Sequence, residues 1–169
     1  MNTHFAPLRV PRSRHFIEDD QPSGSPDVAV ARYVDREIRS ACATAELCIA
    51  VAVRARSQGR HLVADVLREF QAGLTDEAAL LAPAALPDVQ WPPRRATWQV
   101  ESDADVDAWI RTVGDALRHS EQILRWIARR PDLPALARVT FDALASSRHA
   151  QRRLLLACSA IDDRCLAGA

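Results

Sequence analysis

The carboxylates that fall on apolar helix faces are the side chains best suited to chemistry in this sequence. Glu77 lies between Leu74 and Leu81 in a helical stripe of apolar residues, so we expect it to point into the core. Glu46 and Glu121 lie at the edges of neighbouring stripes. Because carboxylate oxygens bind divalent metal ions, Glu77, Glu46 and Glu121 form a candidate metal site, with iron as one possible occupant.

A structural interpretation of the same residues is the one we favour. A buried carboxylate without a partner is costly, so Glu77 should pair with an arginine of the preceding helix, Arg36 or Arg39. Under this interpretation Glu46 and Glu121 are edge carboxylates in water, and no cofactor is expected.

Other catalytic patterns are missing from the sequence, so we predict no catalytic residues. Of the five histidines, His61, His119 and His149 fall on different helices, and there is no glycine-rich phosphate loop. All 22 basic residues are arginine, which removes lysine Schiff-base chemistry. A third hypothesis is a small-molecule pocket inside the core, and the residues we predict to line it are Cys42, Glu77 and Ser120.

Four amphipathic helices must position these side chains, because apolar residues recur at spacings of three and four through most of the chain. Gly59 is a natural stop for the first helix, and prolines end the second and third. The predicted ranges are about 28–57, 61–82, 104–130 and 134–161. The stripe that we predict to face inward on the last helix is Leu136, Val139, Ala143, Ser147, Ala150, Leu154, Ala157 and Ile161.

The chain therefore reads as an all-α four-helix bundle over residues 27–165, preceded by an arm at 1–26. Two short turns make two antiparallel helix hairpins. Residues 83–103, which contain several prolines with Trp91 and Trp98, form a long connection between the hairpins. Such a length is needed if the third helix starts at the end of the bundle opposite to where the second stops.

In this order of helices the chain resembles the ferritin-like superfamily, and rubrerythrin-like bundles in particular. The residues that carry the resemblance are the turn at Gly59, the run 64–70 with Asp76 and Glu77, and Phe141 with the run 146–149. The resemblance implies a di-iron site built from a Glu on each of two helices and a Glu-x-x-His on each of the other two.

Most of that ligand set is replaced in this sequence. Glu77 fits one slot, but Leu80 stands where its histidine partner would be, and the last helix has Ser146 before His149. On the first helix we place Cys42 and its neighbour Ala41 at the level of Glu77. We therefore predict a degenerate site and expect His149 to face outward.

The charge balance argues against nucleic acid as a partner. Lys+Arg 22 equals Asp+Glu 22, and the arginines of the third helix lie at ion-pair spacing from acidic residues. No apolar run reaches the length of a membrane span or signal peptide, so we expect a cytoplasmic protein. Its four cysteines, without a CxxC pair, are expected to be reduced thiols, with Cys165 exposed.

Self-association is the partner prediction. Leu47 and Val51 lie on the side of the first helix away from the second, and a helix that is apolar on two sides is buried on two sides. Either the connection with Trp91 and Trp98 covers this second side or another subunit does, and of the two we favour a homodimer through Leu47 and Val51. Taken together, the sequence favours a non-catalytic interaction or assembly module, with a metal-binding oxidoreductase and a small-molecule binder as alternatives.

Overall fold

The computed structural model describes residues 26–85 and 105–168, and in these ranges it confirms an all-α fold with four helices. The helices are α1 (Pro26–Ser57), α2 (His61–Leu81), α3 (Val106–Ala128) and α4 (Ala135–Ala167). A single 3-10 turn, Ala82–Ala84, follows α2. The predicted arm and most of the predicted connection, with Trp91 and Trp98, lie outside the described residues.

Gly59 ends α1 as predicted. Its φ of 78° is left-handed, which a residue with a side chain rarely adopts. The amide of Arg60 donates to the carbonyl of Ala55 at 2.9 Å, and that of Gly59 donates to Arg56 at 3.1 Å. These two bonds form a Schellman motif, which satisfies the last carbonyls of α1 and turns the chain directly into α2.

Each helix packs against two others within the described part of the chain. α1 packs on α2 and α3, and α4 packs on α3 and α2. This arrangement puts α1 and α4 at opposite corners. The core between them is made of aliphatic and small side chains such as Ile38, Leu67, Leu74 and Leu117.

Polar contacts show which helix ends lie together. Arg60, in the turn after α1, pairs with Asp107 at the start of α3 at 2.7 Å. It also pairs with Asp163 near the end of α4 at 2.6 Å. At the other end of the bundle, the rings of Tyr33 and Trp126 meet edge to face with centroids 6.1 Å apart. The start of α1 therefore lies beside the end of α3.

The first turn of α2 is capped by a residue of α4. The residue before α2, Arg60, supplies no capping hydrogen bond from its side chain. Instead the carboxylate of Asp162 accepts from the amides of Val63 at 2.9 Å and Leu62 at 3.3 Å. The negative charge also suits the positive end of the helix, so Asp162 joins α4 to α2.

Candidate functional site

A buried arginine lies at the centre of the bundle. Arg148 on α4 is only 1% exposed. One of its terminal nitrogens, Nη2, donates to Oε1 of Glu37 on α1 at 2.7 Å. The other, Nη1, lies 2.7 Å from Oε2 of Glu77 on α2. The guanidinium thus joins three helices and reaches across the bundle from α4 to α1.

Two serines complete the site. Ser120 on α3 donates its hydroxyl to Oε2 of Glu37 at 3.3 Å, and Ser147 donates to Oε1 of Glu77 at 3.3 Å. All four helices therefore contribute to one polar group in the core. We call Glu37, Glu77, Ser120, Ser147 and Arg148 the Arg148 cluster.

The electrostatics of the cluster are set by burial and by unequal numbers of charges. Burial raises the pKa of Glu37, and the nearby charge of Arg148 acts in the opposite direction. The negative charge of Glu77 raises the pKa of Glu37 further. Burial is therefore the main reason why Glu37 retains its proton to higher pH, and the second carboxylate of the cluster adds to it.

The chemistry open to the cluster is limited. A guanidinium stays protonated in proteins, so Arg148 cannot act as a general acid or base. Cys48, also in the core, is no nucleophile, because burial raises the pKa of its thiol to about 12. The cluster is suited to holding four helices in register, since removal of one partner would leave a buried charge uncompensated.

The residues do not fit the di-iron site that the ferritin-like resemblance implies. Glu37 and Glu77 approach the same guanidinium, so Glu37 is a core carboxylate that sequence reasoning missed. Both, however, are ion-paired with Arg148, and the α3 position is Ser120. Leu80, at the histidine position after Glu77, is exposed to solvent. The guanidinium supplies the positive charge between the carboxylates.

The candidate metal set Glu77, Glu46 and Glu121 is not assembled. Glu121, whose side chain is partly buried, lies 3.1 Å from Arg125 and 3.2 Å from Nδ1 of His149. One carboxylate oxygen of Glu46 is buried without a hydrogen-bond partner among the described residues. Within 26–85 and 105–168, no three His, Cys, Asp or Glu side chains are placed to hold a metal ion.

The prediction of which arginine pairs with Glu77 was wrong. Glu77 does pair with an arginine, but that arginine is Arg148 of α4 and not Arg36 or Arg39 of α1. Arg39 instead pairs with Asp35 one turn earlier, at 3.1 Å and near the surface. His149, which follows Arg148, is exposed, as predicted.

The structure does not bring the predicted pocket residues together around a cavity, because two of them belong to the Arg148 cluster and Cys42 does not. Ser120 and Glu77 both belong to it, but Glu37 and Arg148 stand between them. Cys42 is partly buried, and its pKa is raised by burial and then by the charge of Glu46. Polar side chains, bonded to one another, thus occupy the part of the core in which we predicted a ligand.

The predicted interface residues Leu47 and Val51 are buried within the chain itself. α1 is apolar on two sides because it packs on both α2 and α3. The prediction that a second subunit covers these two residues is therefore wrong, because they present no surface to one.

The inward face predicted for α4 was also wrong. Leu136, Val139, Leu154 and Ile161 are exposed at 79%, 67%, 48% and 39%. The face that packs into the bundle carries Phe141, Ala145, Arg148, Leu155 and Asp162. These five residues do recur at helical spacing, but the two charges among them hide the pattern from a search for apolar residues.

Comparison with known proteins identified no relative of this chain. The chain matches no protein-family model, no curated protein and no solved structure.

Proposed function

We propose that this protein is a non-catalytic helical bundle that serves as an interaction or assembly module. The observation that carries the proposal is the exposed apolar face of α4. We call Leu136, Val139, Ala143, Ala150, Leu154, Ala157 and Ile161 the α4 stripe, and every member is exposed. Contiguous apolar surface of this kind marks interaction sites in soluble proteins.

The interior supports the same conclusion. The polar side chains at the centre of the bundle are joined by ion pairs and hydrogen bonds, and Arg148 neutralises one of the two carboxylates it contacts. No free pair of acid and base, and no reactive thiol, is placed there. Function is thus expected at the surface of the bundle.

The contacts between helix ends support a ferritin-like arrangement. The end of α1, the start of α3 and the end of α4 meet at Arg60. Because α2 also begins next to Arg60, these contacts favour α2 and α3 running in the same direction. Parallel neighbours in sequence require a long connection, for which residues 86–104 are available. The four cysteines are free thiols, as is usual in the reducing cytoplasm where we place the protein.

The two alternatives remain predictions. A metal-binding oxidoreductase would need Glu77, which is ion-paired with Arg148 and accepts a hydrogen bond from Ser147. A small-molecule binder in the core would need the space that the Arg148 cluster fills.

In the described residues no helix has the length and apolarity to cross a membrane.

The test replaces the large residues of the α4 stripe. In the stripe variant Leu136, Val139, Leu154 and Ile161 become Gln, which removes apolar surface without touching the core. The control variant changes four exposed apolar residues of α1 and α2 to Gln, namely Ile49, Val53, Leu62 and Leu80. The native mass of each protein is measured by sedimentation, both purified and in an extract of the cells that make it.

We expect the wild type and the control variant to sediment above the monomer mass of 18.7 kDa in at least one of the two preparations. The stripe variant should sediment as a monomer in both, with the same helical content and thermal midpoint. A wild type that is monomeric in both preparations would refute an assembly role for this face.

A further inference from the structure

We propose that the α4 stripe is covered by the same stripe of a second copy, with the two α4 helices antiparallel about a two-fold axis. The inference rests on the proposed function and names its partner. The stripe follows spacings of three, four and seven residues, which are those of a seam between two helices. From Leu136 to Ile161 the helix rises about 38 Å, so the seam is long.

The order of large and small residues along the α4 stripe is complementary to that of a second α4 stripe running in the opposite direction. With the two-fold axis between Arg148 and His149, Leu136 meets the partner's Ile161 and Ala143 meets the partner's Leu154. Large side chains thus lie over large ones at the ends, and a small one receives a large one nearer the centre. A surface complementary to its own reverse is what a two-fold interface requires.

Small residues occupy the middle of the seam. Ala143 and Ala150 are both exposed and lie on either side of the proposed axis. Their short side chains would allow the two helix backbones to approach closely there, while Leu136 and Ile161 fill the wider space towards the ends. The shape of the stripe therefore suits one helix lying along another.

Charges beside the stripe select the antiparallel direction. Asp142 and Arg153 lie on the same flank of α4, both exposed, and within the described part of the chain neither has an ion-pair partner. In an antiparallel two-fold pair the same flanks face each other, which brings Asp142 within two residues of the level of the partner's Arg153. In a parallel pair Asp142 would face the opposite flank, where Thr140 and Gln151 lie.

Cysteine cross-linking tests the direction and the register together. In a background with Cys158→Ser and Cys165→Ser, one protein carries Ala143→Cys and a second, longer by an affinity tag, carries Leu154→Cys. We expect rapid disulfide formation between the two proteins when they are mixed under mild oxidation, and little within either alone. Cross-linking of Ala143→Cys to itself as fast as in the mixture would overturn the antiparallel register.

A charge swap gives an independent readout. Asp142→Arg places arginines opposite each other at two symmetric points, and we expect the dimer dissociation constant to rise roughly tenfold. Adding Arg153→Asp to the same chain recreates both pairs with the charges exchanged, so the constant should return towards the wild-type value. If the double variant is as weak as the single one, the proposed pairing is wrong.

Failure of this pairing can be told apart from failure of the proposed function. If the purified protein stays monomeric and does not cross-link, the second copy is excluded as the partner. If, in that case, the wild type but not the stripe variant still sediments in a complex in the cell extract, the interaction role stands. The occupant of the stripe would then be a different protein.

Discussion

Arg148 on α4 holds Glu37 on α1 at 2.7 Å, although these two helices lie at opposite corners of the bundle. Both side chains are almost completely buried. The pair, extended by Glu77 and by two serine hydroxyls, links all four helices at their centre. The guanidinium supplies the positive charge next to the two core carboxylates.

Removal of the guanidinium should be strongly destabilising. In Arg148→Met the carboxylates of Glu37 and Glu77 lose their counter-charge while they remain in the core. We expect a loss of about 3–5 kcal/mol in the free energy of unfolding at neutral pH, measured by urea denaturation.

The matched control removes the carboxylates as well. Adding Glu37→Leu and Glu77→Leu to Arg148→Met gives an apolar centre of similar volume, and we expect most of the lost stability to return. If Arg148→Met stays within about 0.5 kcal/mol of the wild type, which is the range of an ordinary surface substitution, the cluster does not hold the bundle together.

The stability of the protein should depend on pH through Glu37. Burial raises the pKa of Glu37 above its ordinary value of 4.5, so the folded state binds this proton more tightly than the unfolded state. The contribution of the Glu37 proton to stability is therefore complete below pH 4.5 and is lost as the pH rises through the raised pKa.

Glu37→Gln isolates this contribution from the other carboxylates. The free energy of unfolding of the wild type, minus that of Glu37→Gln, should fall as the pH rises from 4.5 and then level off. Urea denaturation at a series of pH values measures it. A difference that rises over the same window would show that the pKa of Glu37 is lowered in the folded protein.

Asp162 should matter more than its neighbour Asp163. Asp162→Ala leaves the amides of Leu62 and Val63 without their acceptor, and we expect a loss of about 1–2 kcal/mol in the free energy of unfolding. Hydrogen exchange should accelerate at these two amides. Asp163→Ala removes only one of the two carboxylates paired with Arg60, so its cost should be below about 1 kcal/mol. Equal costs for the two substitutions would argue against capping by Asp162.

The four cysteines should differ in reactivity. Cys165 is exposed near the end of α4, whereas Cys48 is buried and its pKa is raised to about 12. Alkylation of the native protein, followed by peptide mass spectrometry, should label Cys165 first and Cys48 last. Labelling of Cys48 as fast as Cys165 would mean that the core opens far more readily than its packing indicates.

Local patterns allowed the helices to be predicted, because each of them has an apolar period of three and four and the first three have a clear stop. Gly59 is the best example, since its left-handed backbone ends α1 where the sequence indicated. For the fourth no stop was identified, and α4 runs to Ala167, beyond its predicted end at 161. The inward direction of Glu77 also followed from its apolar neighbours on α2. Its partner did not, because pairing across the bundle depends on how the helices are arranged.

The orientation of α4 could not be read from the same patterns. This helix has one face that is apolar except for Ser147 and one that mixes Phe141 and Leu155 with Arg148 and Asp162. Apolar periodicity selects the first face, but the second is buried, because its charges find partners on α1 and α2. Glu37 was missed for the same reason, as a charge among apolar neighbours on α1.

Sedimentation equilibrium of the purified protein and of Ala143→Glu tests the central claim most directly. Ala143 is exposed in the single chain, so the substitution should leave the thermal midpoint unchanged while it places a charge in the middle of the proposed seam. We predict a wild-type mass that approaches twice 18.7 kDa with rising concentration, and 18.7 kDa for the variant at every concentration. Identical masses for the two proteins would contradict association through the α4 stripe.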